Sequence, residues 1–138
     1  MHNTIMEKDA SGTFVGSAFV FAPARDFARL GLLMMCKGNW LGEQVLSEEW
    51  VTFATTPVSA APKGKYGALW WLNSGDPNNP EDKLYSKLPN DAYYASGFEG
   101  QWILVIPSKD LVIVRLGFTR SKEFSMNKFA SDVISLLP

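Results

Sequence analysis

Between Pro23 and about Lys37 the apolar residues Phe27, Leu30, Leu33 and Met34 recur at helical spacing, which predicts an amphipathic helix with one face on a core. Pro23 suits its first turn, where a missing N–H leaves nothing unsatisfied, and Gly38 suits its stop. Ahead of this helix, residues 13–21 alternate only loosely around Gly12 and Gly16 and read as an extended or looped approach. After a turn at Gly42, Ser47 offers its hydroxyl as a helix N-cap. Glu48 and Glu49 then set negative charge at the positive end of a helix dipole, so a short helix runs to about Ala54.

Residues 57–65 and 74–91 are rich in Pro, Gly, Ser and Asn and read as surface loops. The aromatic run between them, residues 66–73, reads as a strand. Three more strand-like runs follow at 93–97, 101–106 and 111–118, and the turn Pro107-Ser108-Lys109-Asp110 joins the last two as an antiparallel hairpin. Residues 103–106 are apolar on both faces, which predicts a central strand covered on both sides. Finally Met126, Phe129, Ala130, Val133, Ile134 and Leu137 share one face of a helix that can cover the sheet. The expected class is therefore α+β, an antiparallel sheet with a C-terminal helix packed on it, without internal repeat or second domain.

Composition narrows the chemistry. With 138 residues, 46% hydrophobic and 20% charged, the chain has the balance of one globular domain. Its net charge of -1, with Lys and Arg dispersed, gives no electrostatic footprint for phosphate backbones, so nucleic acid is not an expected partner. Met1-His2-Asn3-Thr4 carries neither a basic region nor a long apolar run, and no signal peptide or membrane span is read from it. One His and one Cys cannot assemble a metal site, and no cofactor or metal is expected. His2 reads as a solvated terminal residue and Cys36, within the helical pattern, as a small buried hydrophobe. Gly97-Phe98-Glu99-Gly100 precedes a strand instead of a helix N-terminus, so it is not a phosphate cradle; it permits a bulge or the close approach of a ligand.

The order of short segments carries more than any one of them: Phe14-Val15-Gly16-Ser17-Ala18, Ala24-Arg25-Asp26-Phe27-Ala28-Arg29-Leu30-Gly31, Trp40-Leu41-Gly42, Leu46-Ser47-Glu48-Glu49-Trp50, and Ala95-Ser96-Gly97-Phe98-Glu99-Gly100-Gln101 through Pro107 to Val114-Arg115-Leu116-Gly117. In this order they resemble the C-terminal part of the β-lactamase and penicillin-binding-protein type of serine hydrolase, in its esterase and 6-aminohexanoate-dimer-hydrolase branch. The resemblance implies a partial β-lactamase/transpeptidase-like fold over residues 1–138, a single and incomplete domain in which Met1 is an internal methionine of a longer coding region. It also implies a face left partly uncovered, with an apolar patch beyond the few hundred Å² usual for monomers and self-association through it as one consequence.

In that superfamily a Ser-x-x-Lys motif supplies nucleophile and base, a Tyr-x-Asn a second proton-transfer group, and a Lys-Thr-Gly triplet the third wall. The resemblance places Ala95-Ser96-Gly97 at the triplet, with Ser96 in the hydroxyl position, Gly97 in the glycine position, and Phe98 presenting its backbone N–H to a developing oxyanion. Tyr94, Ala95 and Phe98 would bound the substrate. Ala95 departs from the pattern by removing a cation, which weakens discrimination in favour of anionic β-lactams by roughly 1.5–3 kcal/mol and favours neutral esters or amides. For Ser96 and Phe98 the reading as strand residues packed in the core stands beside the functional one. The one literal Ser-x-x-Lys, Ser125-Met126-Asn127-Lys128, follows the triplet and reads as the cap of the last helix. The expected function is thus the portion of a serine hydrolase that serves a nucleophile located elsewhere, on a small-molecule ester or amide. A non-catalytic α+β binding module is the alternative, and a self-sufficient enzyme using Ser96 or Ser125 with Lys122 or Lys128 requires a buried lysine.

Overall fold

The computed structural model describes residues 1, 3–16, 18–119 and 124–138. A hairpin of β1 (Ile5–Met6) and β2 (Val20–Phe21) leads into α1 (Ala24–Met35), then a second hairpin, β3 (Asn39–Trp40) and β4 (Glu43–Gln44), and α2 (Glu48–Ala54). The principal sheet follows as β5 (Trp71–Leu72), β6 (Tyr93–Gly97), β7 (Gln101–Ile106) and β8 (Leu111–Arg115), hydrogen-bonded antiparallel in that order, and α3 (Met126–Ser135) closes the chain. The α+β class, the antiparallel sheet and its C-terminal helix are as the sequence predicts.

β7 is the inner strand, and its two faces build two cores. Ile103 and Val105 join Tyr93 and Leu72 beneath Met34 of α1 and Val51 and Ala54 of α2. Leu104 and Ile106 join Tyr94 and Ile113 beneath Met126 and Ala130 of α3. The strand therefore reads as a continuous apolar run, because neither face meets water. Full burial of a side chain of this size stabilises by roughly 1.5–3 kcal/mol, so β7 is the strongest single contributor to the sheet. At the contact with α1, a Cβ on Gly31 would lie 2.6 Å from Val112 Cγ1, so glycine sets how closely this helix sits on the sheet.

Helix ends follow local chemistry with one difference from expectation. Pro23 is the N-cap of α1 rather than part of its first turn. At the other end Lys37 (φ 52°) and Gly38 (φ 83°) are both left-handed, with Lys37 N–H donating to Met34 O and Gly38 N–H to Leu33 O. This Schellman closure ends the helix before Cys36, which is exposed rather than buried. Ser47 caps α2 by accepting from the Trp50 N–H, as predicted.

Three other expectations are corrected. Residues 66–73 do not form one strand: Gly67 N–H donates to Trp70 O, Leu69 takes φ 68°, and Tyr66 pairs back with Trp71, so only Trp71 and Leu72 join the sheet. A Cβ at Gly67 would meet Ala54 O at 2.2 Å, so α2 packs directly on this turn. Residues 74–91 form a loop, yet one that enters the core through Leu88, only 1% exposed. The Gly97–Gly100 region is a tight hairpin turn, not a bulge, and it makes β6 and β7 direct antiparallel neighbours.

The chain exposes 8925 Å² at 15.3 kDa, whereas a compact monomer of that mass exposes roughly 7,100 Å². Ile5, Phe19, Phe21, Leu41, Leu69, Phe98 and Phe118 are each more than half exposed.

Candidate functional site

β5 pairs with β6 at Tyr93 and Tyr94 alone, so from Ala95 onward the outer edge of β6 has no strand partner among the described residues. That free edge carries the small side chains of Ala95, Ser96 and Gly97 and ends at Phe98, which is 85% exposed. Side chains alternate across it. Ala95 packs on the α1 side of the sheet, whereas Ser96 lies on the opposite side, directly across from Trp102, which is in turn across from Arg115. The exposure of Ser96 and Phe98 excludes their reading as packed core residues.

Tyr94 is corrected as a substrate contact. It is 2% exposed, with its ring 4.8 Å from Trp102, 5.3 Å from Tyr85 and 6.4 Å from Trp71 between ring centroids. It supports the edge strand from beneath and does not reach solvent. Burial, with the neighbouring Tyr85 adding to it, pushes the Tyr94 phenol far above its ordinary value.

The turn after the edge strand is held firmly. Glu99 (φ 58°) and Gly100 (φ 82°) are left-handed, and Gly97 pairs with Gln101 to close the hairpin. The Glu99 carbonyl accepts from Thr119 N–H at 3.1 Å, and Gln101 exchanges two hydrogen bonds with the backbone of Gly117. Arg115 donates to Gly100 O and to Thr119 Oγ1 while its guanidinium lies 4.1 Å over the Phe124 ring. These side chains lock residues 98–100 against 117–119 and so fix where the Phe98 amide points. Gln101 and Arg115 fall in the segments that carry the resemblance, but their pinning role was not read from the sequence; it follows from the register that sets Trp102 opposite Arg115.

No family model matches the chain. It is 28% identical over 127 aligned residues to the 6-aminohexanoate-dimer hydrolase of Paenarthrobacter ureafaciens, a match covering 80% of this chain and 29% of that protein. Among solved structures, a Bacillus anthracis protein described as a 6-aminohexanoate-dimer hydrolase superposes on 96% of this chain and 32% of its own, with TM-score 0.60 and 22% identity. A Bacteroides dorei protein described as a β-lactamase superposes on 98% of this chain and 45% of its own, with TM-score 0.58 and 14% identity. The fold is β-lactamase-like. The chain resembles the C-terminal part of such a serine hydrolase and spans under a third of the length of the curated relative it matches.

On this β-lactamase-like scaffold the literal Ser-x-x-Lys has a structural role. The Ser125 hydroxyl accepts from Lys128 N–H as the N-cap of α3, and Lys128 pairs with Asp132 on the exposed helix surface. An exposed, ion-paired lysine is not the desolvated base that a nucleophilic serine needs. His2 and Lys122 lie outside the described residues. Among the described residues no group of three metal-ligating side chains converges, and no helix is long and apolar enough to cross a membrane.

Asn73 is the other residue that sequence reading missed. Fully buried, it donates to the carbonyls of Tyr85, Leu88 and Pro89 and accepts from the Tyr85 N–H. One amide thus folds the long loop onto the sheet and delivers Tyr85 to Tyr94. Nothing in an isolated Asn flags this, since Asn in a loop-rich stretch reads as a turn residue.

Proposed function

We propose that this chain supplies one wall of a serine hydrolase active site that transfers an acyl group from a neutral ester or amide to water, with the nucleophile on polypeptide beyond this stretch. The observation that carries the reading is the free outer edge of Ala95-Ser96-Gly97 running into an exposed, firmly pinned Phe98 turn on a β-lactamase-like scaffold. In the first step a serine oxygen bonds to the substrate carbonyl carbon and negative charge gathers on the carbonyl oxygen. The Phe98 backbone N–H donates to that oxygen, a role that depends on amide position and is indifferent to the side chain. The charge returns as the alcohol or amine leaves with a proton, and water releases the acyl group from serine.

Two features support a neutral substrate. Ala95 offers no cation at the triplet position, and the acidic side chain of Glu99 sits next to Phe98 with Oε2 buried and unpaired among the described residues. An anionic substrate would meet like charge from Glu99 there, while the nearby Arg115 guanidinium is engaged with Gly100 O and Thr119 Oγ1. Ser96 and Gly97 keep the edge narrow, while Ala95 and Phe98 bound the acyl group. The P. ureafaciens relative is named for a small molecule, the 6-aminohexanoate dimer, and a small-molecule substrate is the class carried over.

Covalent labelling with a fluorophosphonate serine probe, read by intact mass and peptide mapping, tests the assignment. The 138-residue chain forms no adduct, and a version extended upstream labels at a serine outside these 138 residues. Failure of both forms to label favours a non-catalytic module. An adduct on Ser96 or Ser125 of the short chain identifies a self-sufficient enzyme and overturns the proposal.

A further inference from the structure

The turn that presents the Phe98 amide has little to hold it from within. Phe98 is 85% exposed and packs in neither core. Glu99 takes φ 58°, a left-handed conformation that a residue other than glycine keeps only where its surroundings enforce it. Residues 98–100 are held from the side instead, by the stretch 117–119 that follows β8.

Among the described residues, Arg115 is the side chain that bonds both stretches at once. Its Nη1 donates to Gly100 O, its Nη2 donates to Thr119 Oγ1, and the flat of the guanidinium lies 4.1 Å from the centroid of the Phe124 ring. Two glycines make room for it: a Cβ on Gly100 would lie 2.8 Å from Nη1, and one on Gly117 would lie 3.5 Å from Nη2. Thr119, so placed, donates its N–H to Glu99 O at 3.1 Å, the bond that anchors the left-handed residue. Two acceptors on opposite sides and an aromatic face beneath ask for a planar fork of donors. Lysine, a point charge on a flexible stem, supplies the charge without that geometry.

We propose that Arg115 is a positioning residue for the reaction: its planar guanidinium clamps 98–100 to 117–119 and so sets the Phe98 N–H where the oxyanion forms. The inference rests on the hydrolase reading above. Arg115 touches neither substrate nor nucleophile in this scheme, so its loss displaces a donor used in the transition state and leaves ground-state binding alone. The signature is a fall in kcat at constant KM.

Two readouts test the clamp and its consequence. In amide hydrogen exchange of the 138-residue chain, the Thr119 N–H exchanges slowly in wild type and rapidly in Arg115→Lys, while the amides of Leu104 and Val105 in the paired strand β7 are unchanged. In the upstream-extended form, turnover of a neutral p-nitrophenyl ester is normalised to sites titrated with the fluorophosphonate probe. There kcat falls about 10–100-fold in Arg115→Lys with KM unchanged, as a donor misplaced by about 1 Å requires. Thr119→Val, which keeps the shape and removes one acceptor, moves both readouts in the same direction. A role in folding alone lowers the number of titrated sites and leaves kcat per site at the wild-type value, which overturns the proposal. So does Thr119 protection that survives Arg115→Lys. A wild-type extended form that neither labels nor turns over the ester overturns the hydrolase reading itself, and the positioning role with it.

Discussion

Asn73 shows how much of this fold a single side chain can hold. Replacing it with Ala leaves the buried Leu88 carbonyl and the Tyr85 N–H without partners among the described residues, while the Tyr85 and Pro89 carbonyls keep the N–H groups of Leu88 and Ala92, and each unmade buried hydrogen bond costs about 1–3 kcal/mol before relaxation. We expect Asn73→Ala to destabilise by about 3 kcal/mol, measured by the shift in urea midpoint, and Asn73→Asp to be worse because a carboxylate cannot donate to three carbonyls. The buried tyrosines make a second prediction at this scale. Burial raises the phenols of Tyr85, Tyr93 and Tyr94 above their ordinary value of 10.0, while the unfolded chain ionises at that value. The unfolded state therefore loses protons first, so the tyrosines' contribution to stability is constant below pH 10 and declines as pH rises above it. Urea midpoints that fall steeply above pH 10, and fall less in Tyr94→Phe, check the sign; a flat profile contradicts it. Residues of this kind were not legible in the sequence. Asn73 acts through four backbone groups that only the folded loop assembles, and Tyr94 stood out as an aromatic beside the triplet when its work is to support that strand.

At the scale of elements, periodicity served well where burial is one-sided or complete. Residues 24–35, 101–106 and 126–135 adopt the structures their patterns predict because each has a face that must meet a core. It failed where composition imitated pattern: Tyr66, Trp70 and Trp71 are strand-formers, yet Gly67 and a left-handed Leu69 fold the run into a turn beneath α2. Cys36 was misplaced by continuing a helical count past the Schellman closure at Lys37 and Gly38. Capping separates structure from chemistry at Ser125. Its hydroxyl holds the first turn of α3, so Ser125→Ala lowers stability by about 1 kcal/mol, as loss of an N-cap does. In the upstream-extended form the same variant leaves fluorophosphonate labelling at the wild-type rate. A labelling rate reduced a hundredfold would restore Ser125 as a reacting group and remove the structural reading.

For the whole molecule, a sheet covered on both faces and a free edge strand combine to make a rigid wall that borders open space. The strand is paired on both sides at Tyr93 and Tyr94, and from Ala95 onward its outer side has no strand partner among the described residues, so its geometry is set by β7. The order of segments in the sequence was enough to read the fold class and to locate this strand, whereas its pinning by Gln101, Arg115 and Thr119 emerged only in three dimensions. The central claim is that the Phe98 amide, and not its ring, stabilises charge on the substrate. Gly97, at φ -110° and ψ 173°, has the extended conformation that a following proline requires, so Phe98→Pro removes the N–H without breaking the turn. The deciding measurement compares kcat for a neutral p-nitrophenyl ester between Phe98→Ala and Phe98→Pro in the upstream-extended form. The account predicts that Phe98→Ala stays within a few fold of wild type while Phe98→Pro loses about 100–1,000-fold, the effect of deleting one oxyanion donor. Equal kcat values for the two variants would contradict it.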